Sequence, residues 1–132
     1  MNIGIDMMGG DFAPLEAVKG VQLYLSGHNI PAKLTLIGNK EQLEKLVTEH
    51  KTPLENITIV HAEQVIGMHE HPTKALKEKQ QSSIAIGFQL LASGKMDAFI
   101  SAGNTGAMLV GALFSIKALE GVIRPTISSI IP

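Results

Sequence analysis

Residues 98 to 116 form a run of nineteen without a single charged side chain, and so long an uncharged stretch leaves few choices. It could cross a bilayer, which takes roughly 20 apolar residues as a helix, or it could be buried inside a layered domain. The polar residues at its start decide. Ser101, Gly103, Asn104, Thr105 and Gly106 would break a membrane helix and leave backbone groups unpaired in lipid. A buried strand, a turn and a buried helix remain. Asp97, Ala98, Phe99 and Ile100 read as a short central strand of a parallel sheet. Ala107 to Leu119 reads as a helix that is apolar almost all round, through Met108, Leu109, Val110, Leu113, Phe114 and Ile116. Such a helix needs cover on both sides, from a second layer of the chain or from a partner subunit.

The turn between them, Ser101 to Ala107 with the sequence SAGNTGA, is built of small residues that leave backbone amides uncovered. Asn104 or Thr105 can cap the first free amides, and the helix dipole adds partial positive charge where a ligand can approach closely. Ser101, Gly103, Asn104, Thr105 and Gly106 therefore read as a cradle for a phosphate or a carbonyl oxygen. The purely structural alternative is a tight strand-to-helix turn with no ligand.

From the amino terminus, Asn2 to Asp6 is a first strand, with Asp6 at its carboxyl end, where open α/β sheets place ligand-binding groups. A glycine-rich turn follows at Met7 to Pro14, and Pro14 suits the first turn of a helix running to about Gly27, with Val18, Val21 and Leu25 on one face. Asp6 and Asp11 bracket Gly9 and Gly10. They can orient a substrate hydroxyl or a metal, or anchor the loop; alternatively Asp11 caps the helix and Asp6 pins the turn. The pattern repeats with a strand at Lys33 to Gly38 and a helix through His50, opened by Asn39 and Gln42 as a capping box. A third strand, Asn56 to Val60, leads into a connection through His61, Met68 and Pro72 that is long enough to be a lid. Repeated strand-helix units predict an α/β fold with a mainly parallel sheet around residues 2–6, 33–38, 56–60, 97–101 and 126–131.

His69-Glu70-His71 invites a metal, yet alternate residues in a loop with no third ligand are a weak pattern, and no metal is expected. His61, directly after a strand, is the better acid-base or oxyanion candidate, against the commoner outcome of a satisfied surface histidine. The helical stretch from Pro72 to about Gly94 breaks at Gln80 to Ser83. Lys74 and Lys77 read as a solvated face. Lys79 beside Ser82 and Ser83, one of which starts the helix Ile84 to Ala92, pairs a cation with an amide-rich helix start, as phosphate binding requires.

Composition excludes several classes. Eleven Lys plus Arg against twelve Asp plus Glu give a formal charge of -1, which offers no electrostatic footprint for nucleic acid or an anionic membrane. Cysteine is absent, which removes disulfides, thiolate nucleophiles and Cys-ligated zinc. No basic segment followed by an apolar one marks the start as a secretory signal, so the cytoplasm is the expected compartment. At the other end, Arg124 to Pro132 reads as a turn and a strand with no helix to cover it, as in the amino-terminal part of a longer α/β domain.

Taken in order, Ile5 to Pro14 (IDMMGGDFAP), Lys79 with Ser82 and Ser83, the SAGNTGA turn and Arg124-Pro125 resemble the bacterial phosphate acyltransferase family of fatty acid and phospholipid synthesis proteins. The resemblance covers the whole chain. Met7 and Thr126 stand where alanine is usual. The resemblance implies a Rossmann-like three-layer α/β/α fold akin to phosphotransacetylases and isopropylmalate dehydrogenases, of which residues 1–132 are the first part. It implies transfer of a fatty acyl group from acyl carrier protein to inorganic phosphate, a homodimer, no cofactor, no nucleic acid, and a membrane acyltransferase as the next partner, with peripheral membrane association. Under it, Asp6, Asp11, Lys79 and Asn104 are the catalytic candidates. Gly9, Gly10, Ser82, Ser83, Ser101, Gly103, Thr105 and Gly106 are the phosphate- and substrate-binding ones. The 132-residue piece alone is expected to be inactive. The alternative is a phosphate- or nucleotide-binding regulatory module without chemistry. A dinucleotide oxidoreductase is weaker, because no Gly-x-Gly-x-x-Gly follows a strand.

Overall fold

The structure, a computed structural model, describes residues 1–27, 32–123 and 126–128. Its elements run β1 (Asn2–Asp6), α1 (Leu15–Gly27), β2 (Lys33–Gly38), α2 (Lys40–Glu49), β3 (Ile57–His61), α3 (Pro72–Glu78), α4 (Ser83–Ala92), β4 (Ala98–Ile100) and α5 (Thr105–Ser115). The strands form one sheet in the order β3-β2-β1-β4, and every neighbouring pair is parallel. The parallel sheet is the one that the alternation of strand and helix predicted, and the Rossmann-like α/β/α arrangement is the one that the resemblance implied.

Period-two alternation along β2 sets the layers. Leu34 and Leu36 pack with Val18, Val21 and Leu25 of α1 and Leu43 and Val47 of α2. Ile37 points the other way and packs with Ile86 of α4, Met96 and Ala62. Thr35 is also buried, and its hydroxyl donates to Asn2 Oδ1 at 3.1 Å. Glycine lets helix α4 lie close to β4 and leaves room beside β1 for the Met96 side chain. A Cβ on Gly87 would collide with the Phe99 ring, and one on Gly4 with Met96 Sδ. Phe99 in turn meets Phe88 edge-on, with ring centroids 5.3 Å apart. Helix α5 packs on α3 and α4, with Ala107 and Gly111 buried and Gly111 backed against the Phe88 ring.

Several boundaries differ from expectation. Pro14 lies just before α1, not in its first turn. Its carbonyl accepts the Val18 amide at 3.0 Å, and the Ala13-Pro14 peptide is cis. The break expected at Gln80 to Ser83 is present: Ser82 accepts the Ala85 amide and starts a second helix. Helix α5 stops at Ser115, short of Leu119, and it is covered on one side only, leaving Phe114 73% exposed. Residues 126–128 carry no strand, and the rest of the predicted last strand, like Arg124-Pro125, lies outside the described residues. No described helix is long and apolar enough to cross a membrane.

Candidate functional site

Strand order reverses between β1 and β4. Chain connections leave the sheet in opposite directions there, opening a crevice at the carboxyl ends of the strands. The two glycine-bearing turns singled out by sequence, Met7 to Gly10 after β1 and Ser101 to Asn104 after β4, meet in that crevice.

They are joined by a chain of hydrogen bonds centred on the buried Asp6. Asp6 Oδ2 accepts the Ser101 hydroxyl at 2.7 Å, and Ser101 Oγ accepts the Gly103 amide at 2.9 Å. Asp6 Oδ1 accepts the Met8 amide at 3.0 Å. Asp6 thus pins both turns at once, the structural half of its expected role. The turns touch backbone to backbone: a Cβ on Gly9 would stand 2.6 Å from the Gly103 nitrogen and 2.6 Å from Asp6 Oδ2. Gly10 completes the loop at a φ of +101°, a conformation that suits glycine. Asp11 is exposed and makes no side-chain hydrogen bond among the described residues, so it does not cap α1.

Asn104 is the N-cap of α5. Its Oδ1 accepts the Ala107 amide at 2.9 Å. Its Nδ2 is turned back to the long connection, donating to the carbonyls of Gly67 at 3.0 Å, Met68 at 3.4 Å and Glu70 at 3.1 Å. The side chain is 5% exposed. The amides of Thr105, Gly106, Gly9 and Gly10 have no hydrogen-bond partner among the described residues. They belong to the two segments that meet in the crevice, and the positive end of the α5 dipole lies behind two of them.

Lys79, Ser82 and Ser83 are placed differently from expectation. Ser82 and Ser83 are 0% and 1% exposed, with Ser83 donating its amide to the Gln64 carbonyl, so the start of α4 is closed by packing. Lys79 Nζ donates to the Val65 carbonyl at 2.8 Å and pairs with Glu70 Oε1 at 2.5 Å. It braces the connection between β3 and α3 and presents no free charge to the start of α4. The predicted lid is accordingly strapped down, further held by the Gln64-Ser82 bridge.

Glu70 was visible in the sequence only as the middle of His69-Glu70-His71. Among the described residues no three metal-ligating side chains converge. Its Oε1 is instead shared between Lys79 and the Gly67 amide at 2.6 Å. The Lys79 hydrogen bond first, then the Gly67 amide, hold the Glu70 carboxyl below the usual carboxylate range, against a smaller opposing effect of burial. A depressed folded value means that the bond stabilises above the unfolded pKa and is lost as pH falls through the folded one. The Gly67 amide resonance should therefore shift on acidification with a midpoint below the usual carboxylate range. Glu70→Gln should remove that step; a midpoint at or above the usual range would contradict the pairing. His61 lies at the end of β3, two strands from β1, where its Nδ1 accepts the Lys40 amide at 3.2 Å. That supplies α2 with a second cap beside Asn39 and takes His61 out of the crevice.

A family model described as "Fatty acid synthesis protein" matches residues 1–132. The chain belongs to the fatty acid synthesis protein family. Among members of this family, a protein named phosphate acyltransferase from Thermoanaerobacterium thermosaccharolyticum is 45% identical over 132 residues, all of this chain and 38% of that protein. One of the same name from Dictyoglomus turgidum is 45% identical, with 39% of its length covered. A third from Geobacter sulfurreducens is 39% identical, with 38% covered. The chain thus spans under two-fifths of the length of these relatives. The fatty acid synthesis protein family membership extends over both turns of the crevice.

Proposed function

We propose that the chain supplies the phosphate-binding side of an acyltransferase that moves a fatty acyl group from acyl carrier protein to inorganic phosphate. The observation that carries this reading is the meeting, at the β1/β4 switch point, of two turns whose amides at Gly9, Gly10, Thr105 and Gly106 have no partner among the described residues, joined by the Asp6-Ser101-Gly103 chain of hydrogen bonds. The name carried by the relatives fits it.

A phosphate oxygen attacks the thioester carbonyl carbon, the carbonyl oxygen takes up the negative charge, and the carbon-sulfur bond then breaks. Acyl phosphate and a thiol result once a proton reaches the departing sulfur. The protein must hold a dianion and stabilise an oxyanion; backbone amides serve both needs without titrating. No enzyme nucleophile is required. Asn104 contributes by fixing the helix start and Asp6 by fixing the two turns, while Thr105, Gly106, Gly9 and Gly10 face the anion. Product acyl phosphate would feed phospholipid synthesis from a homodimer in the cytoplasm.

The competing reading is a phosphate- or nucleotide-binding regulatory module. Full-length protein incubated with acyl carrier protein thioester and labelled phosphate separates them. Label in acyl phosphate is the expected result. Bound phosphate without product would replace the enzyme reading with the module.

A further inference from the structure

We propose that Glu70 is a positioning residue for phosphate: with Lys79 it forms a latch that holds the turn at residues 67–70 against Asn104 and so fixes the first-turn amides of α5. The functional consequence rests on the phosphate reading above, whereas the latch rests on geometry alone. Glu70 Oε1 accepts from both the Gly67 amide and Lys79 Nζ, and Lys79 also holds the Val65 carbonyl. One ammonium at the end of α3 thereby ties both limbs of the turn. Inside it, the carbonyls of Gly67, Met68 and Glu70 converge on one amide nitrogen, Asn104 Nδ2. Two amide hydrogens can serve three carbonyls only while those carbonyls form a narrow cup. The other end of the same side chain caps Ala107. The start of α5 is also wedged against the segment following Glu70, since a Cβ on Gly106 would collide with Pro72. The turn and the helix start are therefore one mechanical unit. Discharging Glu70 leaves the Gly67 amide with a weaker acceptor and Lys79 without its counter-charge. The cup then loosens and the amides of Thr105 and Gly106 lose their fixed aim.

The test uses the full-length protein with Glu70→Gln, Lys79→Met and the two combined. The latch predicts that KM for phosphate rises roughly tenfold in each single variant while KM for the acyl thioester stays put. The double variant should be no worse than either single, because both changes break one unit. Hydrogen exchange at the Ala107 amide should quicken in all three without phosphate present. An unchanged phosphate KM and unchanged Ala107 exchange in Glu70→Gln would overturn the proposal. So would a Lys79→Met effect far larger than that of Glu70→Gln and adding to it, which would make Lys79 a direct phosphate ligand. Should the wild-type protein fail to use phosphate at all, the phosphate reading falls. Ala107 exchange then decides the latch alone, quicker exchange upholding it and unchanged exchange refuting it.

Discussion

Gly9→Ala in the full-length protein will reduce turnover with phosphate by two orders of magnitude or more, on the order of 3 kcal/mol in the barrier. The added methyl has nowhere to go. It would stand 2.6 Å from Asp6 Oδ2, 2.6 Å from the Gly103 nitrogen and 2.9 Å from Gly103 Cα. Two of those three atoms are backbone, so no rotamer change relieves the clash. The turns must part, and with them the Asp6-Ser101 bond that sets their spacing. Overpacking of this kind costs about 1–3 kcal/mol of stability, so denaturant unfolding should show a weakened but cooperative fold. Gly10→Ala is strained through its positive φ, whereas Gly20→Ala meets nothing within 4 Å and serves as the control. Normal turnover in Gly9→Ala would show that the contact between the turns is immaterial to the site.

The second large effect is at Asn104. Asn104→Leu removes the cap from Ala107 and the donor from three carbonyls in one change. From sequence alone the substitution is expected to weaken phosphate use and leave the fold intact. The geometry adds a structural cost: a lost cap is worth about 1 kcal/mol, and the Gly67, Met68 and Glu70 carbonyls lose the donor that gathers them. Expected together are a strong loss of phosphate turnover, lower stability, and faster amide exchange in both the 67–70 turn and the first turn of α5. Asn104→Asp separates the two duties, since its carboxylate keeps the cap and loses the donor. If Asn104→Leu exchanged like wild type at Gly67 and Ala107, the side chain would not be the link between loop and helix.

Local patterns in the sequence carried much of this architecture. The repeated strand-helix pattern located β1, β2 and β3, and a short apolar run located β4. Asn39 was legible as a helix start, and Ser82 or Ser83 and Asn104 or Thr105 as paired alternatives from which the structure takes Ser82 and Asn104, because a short polar side chain before an apolar run has a specific use there. What could not be read was pairing across distance. Asp6 and Ser101 are 95 residues apart, and their bond exists only because the sheet order sets β4 beside β1. Lys79 was legible as a cation near a helix start, but its destination depended on how the long connection folds back, which brings Glu70 to it. His61 falls outside the crevice for the same reason: position after a strand is shared by every strand, and only the sheet order shows that β3 lies two strands from β1 while β4 lies beside it.

Inorganic phosphate is expected to sit in the crevice between β1 and β4. Titrating inorganic phosphate into isotope-labelled full-length protein, with backbone amides followed by NMR, tests this directly. Saturable shifts at Gly9, Gly10, Thr105 and Gly106, with the Lys79-Glu70 pair unbroken, are the predicted result. Shifts confined to Ser82, Ser83 and Lys79, with the four crevice amides unmoved at saturation, would contradict it and move the phosphate site to the start of α4.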